Sequence, residues 1–272
     1  MNETMFENIN EAFAQTLSDN PKAVYDKQFV KTLTEPVAGA VQSDLCNRTP
    51  INVSFPPPIL NALNLTLTAE YLETEFYSIG LNTPGLIPND LRPVFVRILL
   101  NEVQHREILL TVLGANAVPK PSFDFTARGV ISDVFSNFNT YVNLGRAFED
   151  NGVRAIKGQA GNVQQDDFVL TTALRFHSVE GRHASELRRI AGLKGWITLN
   201  QRGNLPALAQ GIYDGEENIV QAGINLVALT GYSAATVSEA FDEPLTAAQV
   251  MANINPFIRR QFNGELQVVP LG

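Results

Sequence analysis

Four segments of this chain have helical periodicity, and each carries a glutamate on what should be an unbroken apolar stripe. Reading positions three and four apart as one face, the first stripe is Leu60, Leu63, Leu67, Glu70 and Tyr77. The second is Phe95, Ile98, Leu99, Glu102, His105, Leu109 and Val112. The third is Ile131, Val134, Phe135, Phe138, Tyr141, Val142, Phe148, Glu149, Val153 and Ile156, and the fourth Ala173, Phe176, Glu180, His183, Ala184, Leu187 and Ile190. An unpaired carboxylate loses its hydration on burial and is costly in a core. Four of them facing one another require positive charge between them, and without it they must hold protons to unusually high pH.

The histidines say what that charge is. The chain has three, and two close the same pattern: Glu102-x-x-His105 and Glu180-x-x-His183. Residues three apart on a helix project side by side, so each pair can reach one metal ion, while the lone Glu70 and Glu149 bridge or terminate the site. One glutamate from each of two helices and Glu-x-x-His from the other two is the inventory of a di-iron or di-manganese carboxylate bundle. The expected ligands are therefore Glu70, Glu102, His105, Glu149, Glu180 and His183, for two ions that are either Fe or Mn. Glu73 and Glu75 lie near Glu70, which is preferred because it shares a face with Leu63, Leu67 and Tyr77. The bland alternative is a polar bundle whose acidic groups are hydrogen-bonded or partly wet.

Spacing supports the assignment independently. Glu70 and Glu102 are 32 residues apart, and Glu149 and Glu180 are 31 apart, as in a duplicated hairpin. At about 1.5 Å per helical residue, each glutamate of a hairpin falls at the level of its partner when the helices fold back. Residues 115–130 contain two prolines and no helical period. Extended to about 50 Å, they can run the length of a bundle and start the third helix parallel to the second. The fold class is all-α: an N-terminal extension over 1–53 with a possible helix near 4–17, a four-helix bundle over 54–193 opened by SFPPPIL, and a C-terminal extension over 194–272. In the last, EENIVQAGINLVAL and PLTAAQVMANI read as short helical stretches, and Trp196 and the tail should cover the bundle. His177 should sit beside or outside the site, Asp150 is a candidate partner for a histidine, and ELRR at 186–189 reads as a solvated face.

Composition removes several classes. A net charge of −8 argues against nucleic acid and anionic membrane surfaces. A single cysteine, Cys46, excludes an intrachain disulfide, a Cys-x-x-Cys redox motif and a thiolate zinc cluster. No apolar run reaches the roughly 18 residues of a membrane span. The N-terminus lacks a basic stretch followed by an apolar one, so a cytoplasmic place is expected, with a trimmed exported parent as the alternative.

The stretches LNALNLTLTAEYLETEFY, FEDNGVRAIKG, VEGRHASELR and AFDEPLTAAQVMANINPFI resemble the ferritin-like superfamily, in particular the ferritin-like domain proteins that include plant desiccation-related proteins. The resemblance spans about 59–193 through the metal motifs and 230–258 through the tail. It implies a four-helix bundle with one long crossover between helices 2 and 3. It also implies redox chemistry with O2 or peroxide, of ferroxidase, peroxidase or manganese-catalase type, in stress protection. Tyr77, seven residues after Glu70, matches the tyrosine that ferritins and rubrerythrins carry near their metals, which implies a catalytic role beside the plainer one of a core tyrosine. The extra length at both ends argues against a 24-subunit cage, leaving a smaller homo-oligomer open, and the cysteine count excludes a rubredoxin-type electron path. The competing function is a structural stress protein with incidental metal or none.

Overall fold

The computed structural model of the chain describes residues 55–259; the helix expected near 4–17 lies outside them. Four long helices dominate: α1 (Pro57–Asn82), α2 (Arg92–Leu113), α3 (Phe138–Val163) and α4 (Asp167–Ile190). α1 packs on α2 and α3 on α4, and the two hairpins meet through α1 and α3. Among the described residues no helix is long and apolar enough to cross a membrane.

The helix ends follow from local chemistry. Prolines open α1 and α2, where a missing backbone N–H costs nothing. No side chain caps α1, whose N-cap is Pro56. Asn137 accepts from the amides of Asn139 and Thr140 to cap α3, and Asp166 accepts from those of Phe168 and Val169 to cap α4. α2 stops at Gly114, where φ is 52°.

The third helix begins at Phe138, so Ile131, Val134 and Phe135 do not lie on it. Residues 126–136 are turns instead. Asp124 accepts from the Thr126 amide and hydroxyl and from the Arg128 amide, and Ala127, Arg128 and Gly129 all have positive φ. Ile131 and Val134 are still buried, so a turn imitates the spacing of a helix. The crossover accordingly extends to Asn137 rather than ending at 130. The stretch EENIVQAGINLVAL is not one helix either. It forms a two-stranded antiparallel hairpin, β1 (Val220–Gln221) and β2 (Ile224–Asn225), followed by α5 (Leu226–Thr230). The turn residues Ala222 and Gly223 have φ of 50° and 80°, the left-handed pair that suits a two-residue hairpin.

The rest of the C-terminal segment holds α6 (Ala234–Ser238) and α7 (Ala247–Ile254), the latter opened by a Thr246–Gln249 capping box. α7 packs on α3 and α1. Gly158 of α3 is what permits this approach, since a Cβ there would stand 1.9 Å from the backbone oxygen of Leu245. Phe257 follows α7 into an aromatic cluster with Phe148, Phe76 and Tyr141, and the chain then bridges to the crossover at Phe123.

Buried charge fastens this segment to the bundle. Arg154 of α3 pairs with Glu216 at 2.7 Å and donates to the carbonyls of Ile212, Asp214 and Glu243. Arg146 donates to the Arg202 carbonyl and lies over the Tyr213 ring. Asp150 accepts from Arg188 and from the Tyr213 hydroxyl, so its partners are not histidines. Arg188 is itself buried, which corrects the reading of 186–189 as a wholly solvated face. Trp196 remains about half exposed; its carbonyl accepts from Arg188.

Candidate metal centre

Each long helix delivers its glutamate to the middle of the bundle: Glu70, Glu102, Glu149 and Glu180 are all at most 1% exposed, and His105 and His183 are buried beside them. The six side chains form two overlapping groups. Glu70, Glu102, Glu180 and His105 make one, and Glu102, Glu149, Glu180 and His183 the other. Within each group, one ligand atom per residue lies within 4.8 Å of all the rest.

Both histidines turn Nδ1 inward. His105 Nδ1 is 3.0 Å from Glu180 Oε1, 3.1 Å from Glu102 Oε2 and 3.6 Å from Glu70 Oε2. His183 Nδ1 is 2.6 Å from Glu102 Oε1, 3.3 Å from Glu149 Oε2 and 3.6 Å from Glu180 Oε2. Glu102 and Glu180 therefore send one oxygen to each group, and Glu70 and Glu149 serve one group apiece. The glutamates of the two Glu-x-x-His motifs thus belong to both groups, and the lone glutamates to one group each.

Several of these atoms touch without bonding. Glu70 Oε2, Glu102 Oε1, Glu149 Oε2, both Glu180 oxygens and His183 Nδ1 are buried with no hydrogen-bond partner among the described residues. His105 Nδ1 and Glu102 Oε2 do form a hydrogen bond, at 3.1 Å, but the remaining atoms share one space without an aligned donor, which fits a cation better than a hydrogen-bonded polar core. The donors suit the same conclusion, since carboxylate oxygen and imidazole nitrogen are the ligands that Fe and Mn accept.

Neighbouring groups fix these side chains. The Tyr77 hydroxyl donates to Glu149 Oε1, which leaves Oε2 facing His183. His183 Nε2 lies 3.2 Å from Asn101 Oδ1. An N–H donated there sets the tautomer that leaves Nδ1 free as a ligand. The His105 ring stacks on Phe176, with centroids 4.2 Å apart.

Electrostatics without a metal are unusual. Burial raises the Glu70 and Glu149 carboxyls well above the ordinary glutamate range, as expected of carboxylates crowded together. Glu180 goes the other way: burial opposes its charge, but contact with His105 and His183 outweighs that and lowers it. Burial also opposes a charge on His105, and contact with Glu102, Glu180 and Glu70 overcomes it, pushing its pKa up to about 12. His183 is likewise raised, burial being outweighed by Glu102 and Glu149. Burial, and then Glu149, holds Tyr77 well above the usual tyrosine range, so it stays a hydrogen-bond donor.

Glu73 escaped the sequence assignment. It is 2% exposed on α1, one turn beyond Glu70, and its place three residues after that candidate was the signal available. Asn101 gave no signal that periodicity could read. His177 lies outside both groups and is half buried; burial lowers its pKa.

Residues 60–193 match the family model described as a ferritin-like domain. This part of the chain is a ferritin-like domain. Comparison of the chain with curated proteins finds no match. The ferritin-like domain accounts for the four long helices, and the turns, hairpin and α7 beyond residue 193 lie outside the match.

Proposed function

We propose that the protein is a di-metal carboxylate oxidoreductase, holding two Fe or two Mn ions and acting on O2 or peroxide. The observation that supports it best is the set of buried carboxylate oxygens that crowd together with His183 Nδ1 without hydrogen bonds, beside His105 Nδ1. Glu70 and His105 would hold one ion, Glu149 and His183 the other, and Glu102 and Glu180 both. Bound there, a pair of Fe or Mn ions supplies the electrons that reduce O2 or peroxide.

The chain's own residues set the conditions. The four helices exclude bulk water from the ligand atoms, which strengthens every electrostatic interaction among them. Tyr77 holds its proton towards Glu149 Oε1 and orients that carboxylate. Asn101 orients the His183 ring, and Phe176 limits the movement of His105. Carboxylates can change binding mode as the charge between them changes, which fits a site whose ions alternate in oxidation state. Removing peroxide is the step that would connect this chemistry to stress protection and to the desiccation-related proteins the sequence resembles.

The test is to load chelator-stripped protein anaerobically with Fe2+ or Mn2+, add O2 or hydrogen peroxide, and follow oxidant consumption and the ultraviolet–visible spectrum. Wild type should consume oxidant with a change in metal absorption, and His105→Ala and His183→Ala should lose most of the rate. Loaded wild type that consumes no more than metal in buffer would leave a structural helical protein as the better reading.

A further inference from the structure

The two ends of the proposed centre are not equivalent. The difference lies in Glu73 and Gly152, neither of which belongs to the six-residue ligand set. Glu73 follows Glu70 by one turn of α1 and is equally sealed from solvent. Gly152 follows Glu149 by one turn of α3. A Cβ at Gly152 would lie 3.3 Å from Glu73 Oε1 and 3.8 Å from Glu180 Oε2. Both carboxylates therefore reach the same small space beside α3, which stays open because residue 152 has no side chain. The charged groups acting on Glu73 come from all four helices: Glu149 and Glu180 most strongly, then Glu70 and Glu102. Glu73 lies outside both four-residue groups, but a fifth buried carboxylate beside them is costly unless it too meets a cation.

We propose that Glu73 is a fifth carboxylate of the metal centre, serving the ion held by Glu149 and His183. The His105 end has an aromatic wall instead, Phe176 stacked on the imidazole. Gly152 is the positioning residue, because its missing side chain gives Glu73 room to reach.

This inference rests on the di-metal reading above, and the experiment separates the two. Mn2+ affinity is measured by titration calorimetry for wild type, His105→Ala, His183→Ala, and each histidine variant combined with Glu73→Gln, with circular dichroism confirming helix content. In the His105→Ala background, which keeps the Glu149–His183 end, Glu73→Gln should weaken Mn2+ by tenfold or more, roughly the range for removing a group that supports a metal site. In the His183→Ala background it should change affinity less than about twofold. Gly152→Ala should weaken wild-type binding in the same direction by a smaller factor. Equal effects in both backgrounds, or none in either, would overturn the role of Glu73 while leaving the metal centre intact. Wild type that takes up no Mn2+ would overturn the di-metal reading and this inference with it.

Discussion

Metal ions and protons compete for the same atoms here, and that fixes how stability responds to pH. A metal-bound His105 must present Nδ1 without a proton, yet in the metal-free cluster its pKa stands at about 12. His183 is raised for the same reason. Both imidazoles therefore carry protons near neutrality that a metal must displace, and the raised carboxyls of Glu70 and Glu149 add to the number. Each proton displaced strengthens binding by about 1.4 kcal/mol per pH unit. Two displaced protons correspond to about 2.7 kcal/mol, a hundredfold in affinity, for each unit of pH.

The metal-free fold moves the opposite way. The folded pKa of His105 lies above its unfolded value of 6.5, so the stability it contributes is complete below about pH 6.5 and lost as pH rises towards about 12. Glu70 and Glu149 act in the same sense from about pH 4.5 upward. Glu180, with a lowered pKa, contributes stability above about pH 4.5 that is lost only in acid. The gap in melting temperature between Mn2+-saturated and chelator-stripped protein should therefore widen from about pH 5 to about pH 8. Scanning calorimetry of both forms measures the gap, and titration calorimetry in buffers of different ionisation enthalpy counts the protons. A gap independent of pH, or fewer than one proton released per chain, would refute the reasoning.

Other substitutions probe separate parts of the account. Tyr77→Phe removes the hydroxyl that holds Glu149 Oε1 and should lower Mn2+ affinity about tenfold with helix content unchanged, as read by equilibrium dialysis and circular dichroism. Asp150→Ala strands the buried Arg188 guanidinium and should cost about 3–5 kcal/mol in urea denaturation; a loss below about 1 kcal/mol would mean that water or another acceptor replaces the carboxylate. Gly158→Ala drives a methyl into the Leu245 backbone and should destabilise by about 3 kcal/mol, at the upper end of overpacking costs; an unchanged urea midpoint would mean that the C-terminal segment does not rest on α3. His177→Ala, outside both ligand groups, should leave metal affinity within about twofold of wild type, well short of the loss that removing a ligand's partner brings.

The four long helices and the convergence of their glutamates were legible because burial imposes a period, and a carboxylate breaking that period in each helix stands out. Glu102–His105 and Glu180–His183 were legible for a second reason: spacing of three is a statement about geometry on any helix. Periodicity misled where turns borrow it. Ile131, Val134 and Phe135 sit at helical intervals, but the Asp124 turn and the positive φ values after it bend the chain before α3 begins. It misled again at Ala222-Gly223, where a tight hairpin interrupts an apolar run. Asp150, Arg188 and Tyr213 were invisible as a unit because they join residues 38 and 63 positions apart, and no local pattern encodes such a meeting. Glu73 could be seen but not placed, since its role depends on a missing side chain on another helix.

The most direct test of the central claim is electron paramagnetic resonance during titration of chelator-stripped protein with Mn2+. Two overlapping ligand groups that share Glu102 and Glu180 place two ions close enough for their spins to couple. The account predicts that two Mn2+ bind per chain, with loss of the six-line signal of isolated Mn2+ and growth of an exchange-coupled spectrum as the second site fills. A single isolated Mn2+ signal at saturation, or no uptake at all, would contradict it.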